Sequence, residues 1–391
     1  MTPQQAVPLG GAVRPGFAAV RDAFGENFSS RGEVGASVCI AVGGSVVVDL
    51  WGGWRDGARH RPWEQGTLVN VFSVGKAVAA LCVARLVGQG ALSFDDPVAR
   101  VWPEFGTQDK ARITVRQLLS HQAGLPAVRE PLPDEAVFDW DAMCAALAAQ
   151  APWWEPGAAH GYHVNTFGFL VGEVVRRTSG RSLGTMVRRE IAGPLGADFF
   201  IGVPRAELAR VADFLGMVER PDPAPANGMS EAHMSEAQLM EHHAYFNPPT
   251  LSGSGVINTA EWRSAEMPST NGHATARGVA RIYQALVAGG RLDGIDIVAT
   301  APLAEAVDEE VCGNDLILHR PSRFGLGFQL TQPERTLGPN PGSFGHFGAG
   351  GSLGFCDPQA SVAFGYAINT MGPRWQNPRN QALIEAFYGC L

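Results

Sequence analysis

Strand-like runs lie toward the two ends of this chain, with a long helical stretch between them. That division constrains the fold more than any other feature of the sequence. Near the start, Ala36–Gly44 (ASVCIAVGG) and Ser45–Gly53 (SVVVDLWGG) are β-rich runs around a Gly-Gly pair, which predicts a hairpin. Far along the chain, Phe324–Leu330, Phe344–Gly351 (FGHFGAGG), the following SLGFCDP, and Ser361–Thr370 (SVAFGYAINT) predict an antiparallel meander. Helical spacing of apolar residues predicts helices over Gly16–Ser30, from Ser73 onward in the run Val69–Gly90, over Ile113–Leu125, over Phe167–Gly180, from about Thr275, and over Asn380–Phe387. A sheet assembled from both ends implies an α+β architecture. Residues 1–72 with 275–391 would form a sheet domain, and 73–274 an inserted, mostly helical region, with the functional site at their boundary. The stretch Glu219–Thr250 is rich in Pro, Met and polar residues and reads as a long, mobile surface segment.

Composition narrows the function. The chain has 391 residues and is 45% hydrophobic and 17% charged, which suits a large folded core. A net charge of −8 argues against nucleic acid as a partner, because phosphate binding needs a basic face, and no Lys/Arg block points to an anionic membrane. No apolar run approaches the length of a transmembrane helix, and the N-terminal residues carry no secretory pattern. The six cysteines are scattered, with no CxxC and no zinc spacing, so disulfides and metal are not expected and a reducing, cytoplasmic setting is the simpler reading.

The chemistry centres on Ser73-Val74-Gly75-Lys76, an S-x-x-K motif. Residues three apart share a helix face, so an ammonium at Lys76 can reach the Ser73 hydroxyl. A serine in the first turn also sits at the positive helix end, where free N–H groups favour a developing anion. A buried lysine can lose its proton and act as a base. Taken alone, the tetrapeptide describes equally an N-cap serine and a solvated lysine. What separates the two is context: the helix is apolar enough to be buried, it follows a predicted hairpin, and further motifs come after it.

The run FSVGKAVAALCVARLVGQGALSFDDPV with ITVRQLLSHQAGLP, from Phe72 to Pro126, resembles the first motif region of class C β-lactamases and of the β-lactamase-like (family VIII) carboxylesterases. The resemblance implies the β-lactamase/penicillin-binding-protein fold, with Ser73 as nucleophile and Lys76 as its partner. WWEPGAAHGYHVNTFGFLVGEVVRRTSGRSLG (Trp153–Gly184) resembles the second motif region. There Tyr162 takes the place of the proton-relaying tyrosine, and Asn165 falls one residue late for the β-lactamase Y-x-N pattern. Tyr162-His163 is similar to the esterase branch. His346-Phe347-Gly348 resembles the third motif, K-T-G in β-lactamases and often H-x-G in the esterases. That places the Ala349 N–H beside the Ser73 N–H as an oxyanion hole, and His346, Gly348, Trp154 and Asn165 around the substrate. Replacing a lysine by His346 removes a permanent charge that would attract a penicillin carboxylate.

The resemblance thus implies a serine carboxylesterase that cleaves small esters through an acyl-enzyme and needs no cofactor. A β-lactamase or D-amino-acid-type peptidase, an acyltransferase, and a penicillin-binding sensor without turnover are the alternatives on the same fold. Gly350-Gly351-Ser352-Leu353-Gly354 is formally G-x-S-x-G, but it lacks the strand–turn–helix context that motif requires, and no histidine follows it. His121 reads as a structural residue of a helix-terminal turn. The aromatics Trp153, Trp154, Tyr245 and Phe246 could line an acyl pocket, and Asp95-Asp96 caps a turn.

Overall fold

In β2 (Gly35–Val42) and the last strand of the sheet, small and large side chains alternate, and this alternation organises the molecule. The computed structural model describes residues 6–216 and 231–391. Nine strands form the main sheet: β1 (Leu9–Val13), β2, β3 (Ser45–Gly53), β4 (Val311–Asn314), β5 (Pro321–Phe324), β6 (Gln329–Leu330), β7 (Phe344–Phe347), β8 (Leu353–Asp357) and β9 (Val362–Ile368). Their spatial order is β1-β3-β2-β9-β8-β7-β6-β5-β4, with every neighbouring pair antiparallel. The central pairing joins the chain ends, with Val38 opposite Tyr366 and Ile40 opposite Phe364.

Six helices matter here: α1 (Ala18–Ser30), α2 (Val74–Gly88), α3 (Thr166–Ser179), α4 (Glu236–Phe246), α5 (Ala276–Val287) and α6 (Pro378–Tyr388). Successive strand residues point to opposite faces. Val38, Ile40, Phe355, Phe364, Tyr366 and Ile368 form one buried cluster with Val20 and Phe24 of α1 and Leu383 and Phe387 of α6. The opposite face carries Cys39, Ala41, Cys356, Ala363 and Ala367, which belong to the large core containing α2 and α5. Small residues on that face let α5 lie close against the sheet. Helix α2 is buried on nearly every side, so it is the spine on which the helical region packs.

The sheet is wider than the sequence indicated. β1 and β4 were not expected, and the run Phe324–Leu330 is divided between the end of β5 and β6. A second, three-stranded sheet of Val69–Phe72, Gly272–Ala274 and Phe199–Ile201 lies within the otherwise helical stretch. The helix expected over Ile113–Leu125 is only Val115–Leu119, because His121 adopts φ +63° and turns the chain. Part of the expected mobile segment, residues 219–230, lies outside the described residues. The rest is not a loose loop. Ser235 and Gln238 form a capping box at the start of α4, and Met240, His243 and Ala244 of that helix are buried. No helix among the described residues is long and apolar enough to cross a membrane.

Candidate active site

Strand Val69–Phe72 delivers the chain to Ser73 through a strained turn. Phe72 has φ +49°, a left-handed conformation that costs a non-glycine residue about 1–3 kcal/mol. The Asn70 side chain steadies it by accepting the Phe72 N–H at 2.8 Å. Ser73 then occupies the N-cap position of α2, yet its side chain makes no capping hydrogen bond. A capping serine spends its hydroxyl on the helix end; this one turns it toward Lys76 and donates weakly to the Ser269 carbonyl at 3.4 Å.

The Lys76 amine lies 3.1 Å from Ser73 Oγ, 2.6 Å from the Val164 carbonyl and 3.2 Å from the Ser269 carbonyl. It is fully buried with no carboxylate partner among the described residues. Burial therefore holds its pKa well below the ordinary lysine range. A neutral amine has two N–H donors and one lone pair. With the donors on the two carbonyls, the lone pair is left for the Ser73 hydroxyl.

The Ser269 segment sets this geometry. Gly75 permits its approach, since a Cβ there would meet the Pro268 carbonyl oxygen at 2.4 Å. From the other side, the Gly168 N–H of α3 donates to Ser269 Oγ at 2.6 Å. The glycine of S-V-G-K is thus a packing requirement for bringing the Ser269 carbonyl to the amine.

Tyr162 is buried beside this pair, with Lys76 Nζ 4.8 Å from its ring centroid. Its hydroxyl approaches Ser73 without closing a hydrogen bond of normal geometry. Burial pushes the phenol well above its usual pKa, and the Ser73 hydroxyl only partly opposes this. The backbone around Tyr162 is pinned. Its N–H donates to Asp315 Oδ1 at 2.9 Å, and the other Asp315 oxygen accepts from Ser322 Oγ. His163 donates from Nδ1 to the Gly161 carbonyl and accepts the Leu125 N–H at Nε2, 3.0 Å away. Buried and held near pKa 4, it is a neutral brace. The His121 ring backs Tyr162 at 4.9 Å between centroids.

β7 forms the opposite wall. Gly348, just past its end, lies so close to strand Val69–Phe72 that a Cβ would meet the Val71 carbonyl oxygen at 2.2 Å. This contact brings Ala349 alongside the Ser73 turn. Among the described residues, neither the Ser73 N–H nor the Ala349 N–H is used in a backbone hydrogen bond. His346 on β7 is fully buried and neutral, its pKa pushed down to about 3 by burial and by Lys76. Its Nδ1 donates to the Phe347 carbonyl at 2.7 Å, which leaves Nε2 as a buried acceptor with no partner.

Ser73, Lys76, Tyr162, His346, Gly348 and Ala349 therefore converge. Two expected substrate contacts, Asn165 and Trp154, make hydrogen bonds of their own. The Asn165 amide donates to the Ala244 carbonyl and Ser252 Oγ, and its oxygen accepts from Thr270 Oγ1. That side chain ties α4 to the Ser269 segment and offers a substrate nothing. Trp154 packs on Gly161 and His163 within the cluster around Tyr162, donates to the Ala159 carbonyl, and lines a surface hollow with Gln108, Arg112 and Gln117. Tyr245 joins the aromatic cluster around Tyr162, whereas Phe246 lies against His242. Ser352 Oγ is buried with no hydrogen-bond partner among the described residues. Sequence reasoning missed Asn70, Ser269, Asp315 and Trp375, whose indole stands 5.1 Å from the Tyr162 ring.

Comparison with known proteins gives the family. The beta-lactamase family model matches residues 18–387. Esterase/beta-lactamase LipL of Mycobacterium tuberculosis is 32% identical over 367 residues, covering 92% of this chain and 83% of LipL. A family VIII carboxylesterase structure is 41% identical, with a TM-score of 0.89 over 98% of this chain and 100% of that one. A penicillin-binding protein homologue from Caulobacter crescentus is 43% identical, with the same TM-score and the same coverage. On these matches, and with its S-x-x-K serine and lysine paired at the head of a buried helix, the chain belongs to the beta-lactamase family.

Proposed function

We propose that this protein is a serine carboxylesterase that cleaves small esters with short acyl chains through an acyl-enzyme on Ser73. The observation that carries the reading is the fully buried Lys76 amine 3.1 Å from Ser73 Oγ, with no carboxylate partner among the described residues. Lys76 takes the hydroxyl proton as Oγ bonds to the ester carbonyl carbon. The carbonyl oxygen becomes an oxyanion held by the N–H groups of Ser73 and Ala349. The intermediate collapses, the ester C–O bond breaks, and the alkoxide leaves with a proton from Tyr162, which Lys76 restores. Water then repeats the sequence on the acyl-enzyme and releases the acid. The opposed shifts of the two groups support this division of labour: a base needs a lowered lysine, and a proton donor needs a phenol that stays protonated. One structural neighbour is described as a family VIII carboxylesterase and LipL as an esterase/beta-lactamase, which supports the same reading.

Neutral His346, and an Asn165 turned to structural use, favour an ester over a β-lactam. Hydrolysis of p-nitrophenyl butyrate should exceed that of a chromogenic cephalosporin by about a hundredfold or more in kcat/KM. The reverse order would replace the esterase reading by the β-lactamase one. Buried free cysteines such as Cys39, Cys82, Cys144 and Cys356 support a reducing, cytoplasmic setting.

A further inference from the structure

Three arginines stand at one end of the main sheet, next to the site but outside the machinery described above. Arg320 lies in the β4–β5 loop, Arg335 between β6 and β7, and Arg374 between β9 and α6. The Arg320 and Arg335 guanidiniums lie 4.8 and 5.4 Å from the Trp375 ring centroid. That indole in turn lies against Tyr162 and, at 6.4 Å, His346. All three arginines line one hollow of about 360 Å³ with Glu334, Gln376 and Gln381.

Elsewhere in this protein, buried or half-buried arginines are paired. Arg379 meets Glu33, and Arg116 meets Asp95, Glu305 and Glu310. Arg335 is only 7% exposed, yet its side chain makes a single weak hydrogen bond, 3.4 Å to the Pro321 carbonyl. None of the three forms an ion pair with a carboxylate among the described residues; Glu334 in the hollow and the more distant Asp315 offset their charge only through space. A desolvated guanidinium without an anion is costly to keep. Burial and the neighbouring Arg320 pull Arg335 down to about 10, and its field reaches both Tyr162 and His346.

We propose that this hollow binds a carboxylate carried by the substrate, so that the preferred esters are half-esters of dicarboxylic acids with the free acid at the far end of the acyl chain. Planar guanidiniums suit a carboxylate. With one indole between Tyr162 and the cations, the acid must stand several bonds beyond the scissile carbonyl. The charge missing at His346 is thereby supplied from the far side of the Trp375 ring. This proposal rests on the esterase reading, and its test keeps the two apart.

The test compares p-nitrophenyl esters of adipic and suberic acid, each with the far carboxyl free or methyl-capped, at low salt. Wild type should favour the free acid by about tenfold or more in kcat/KM, with the preference shrinking as salt rises. In Arg335→Gln and in Arg320→Gln the ratio should fall toward one, and Arg335→Lys should keep part of it. Because the readout is a ratio within one preparation, loss of folded protein does not imitate it. If Arg335→Gln does not fold, the half-exposed Arg320→Gln carries the test. A wild-type ratio at or below one, with p-nitrophenyl butyrate still cleaved, overturns the pocket and leaves the esterase. Calorimetry on Ser73→Ala should show monomethyl adipate binding and dimethyl adipate not. That result without any ester cleavage would keep the pocket and remove the esterase. Equal binding of the two would remove the pocket.

Discussion

Two buried polar clusters flank the main sheet, and they are built in opposite ways. On the side of the terminal helices, the Glu33 carboxylate pairs with Arg379 at 2.9 Å and accepts the Tyr366 hydroxyl. Arg379 also donates to the Gly350 and Thr370 carbonyls, and Asn27 reaches Tyr366 and the Arg379 backbone. Every charge there has its complement. Around Ser73 the polarity is left incomplete: among the described residues Lys76 has no carboxylate, and the Tyr162 hydroxyl and His346 Nε2 have no hydrogen-bond partner. A satisfied cluster stabilises a fold, whereas an unsatisfied one holds groups ready for a molecule that has yet to arrive.

If that contrast is right, the clusters should fail differently when cut. The largest effect belongs to Ser73→Ala, which should lower p-nitrophenyl butyrate turnover by about a thousandfold or more while leaving the melting temperature near that of wild type. Next, Glu33→Ala should cost about 3–5 kcal/mol in denaturant unfolding, because it strands Arg379 without its anion. The activity per folded molecule should survive that change. Tyr162→Phe should reduce kcat by about a hundredfold with little change in stability. The smallest change expected is in stability, and it has the opposite sign. Lys76→Met should lower turnover about as far as Ser73→Ala yet stabilise the protein by roughly 0.5–2 kcal/mol, since it replaces an amine that is costly to bury by an apolar side chain of similar length. Destabilisation by Lys76→Met would mean the amine is itself structural, and the contrast would fail.

The pH profile sharpens the same point. Lys76 must be neutral to act, so activity should rise with pH through a lysine pKa depressed well below its ordinary value. Tyr162 must stay protonated, and its raised pKa moves any alkaline fall above the usual tyrosine range. His346 and His163, at about 3 and about 4, contribute no limb near neutrality. A limb at the ordinary histidine pKa that vanished in a His346 variant would contradict this assignment.

The helix periodicity of the sequence was enough to place Ser73 and Lys76 on one face, because an i, i+3 pair is a local geometric fact. Tyr162, His346 and Ala349 became visible only through resemblance to a family, since nothing local ties them to the nucleophile. Ser269 and Asp315 act through a carbonyl and a loop carboxylate whose positions are fixed by close packing at Gly75 and by the β4–β5 connection. Such roles leave no pattern in one sequence. Helix α4 was missed for a different reason. Its His and Met residues blur the apolar face, although the Ser235–Gln238 capping box was there to be read. Asn165 was placed by motif alignment, and only its three hydrogen-bond partners reveal that it braces the site rather than lining it.

The most direct test of the account is to trap the covalent intermediate. The protein would be treated with a p-nitrophenyl phosphonate ester, digested, and the modified peptide sequenced by mass spectrometry, alongside Lys76→Met under the same conditions. The account predicts one phosphonyl group on Ser73, with labelling of the Lys76 variant slowed by at least about a hundredfold. A label on Ser352, or labelling of Ser73 at an undiminished rate without Lys76, would contradict it.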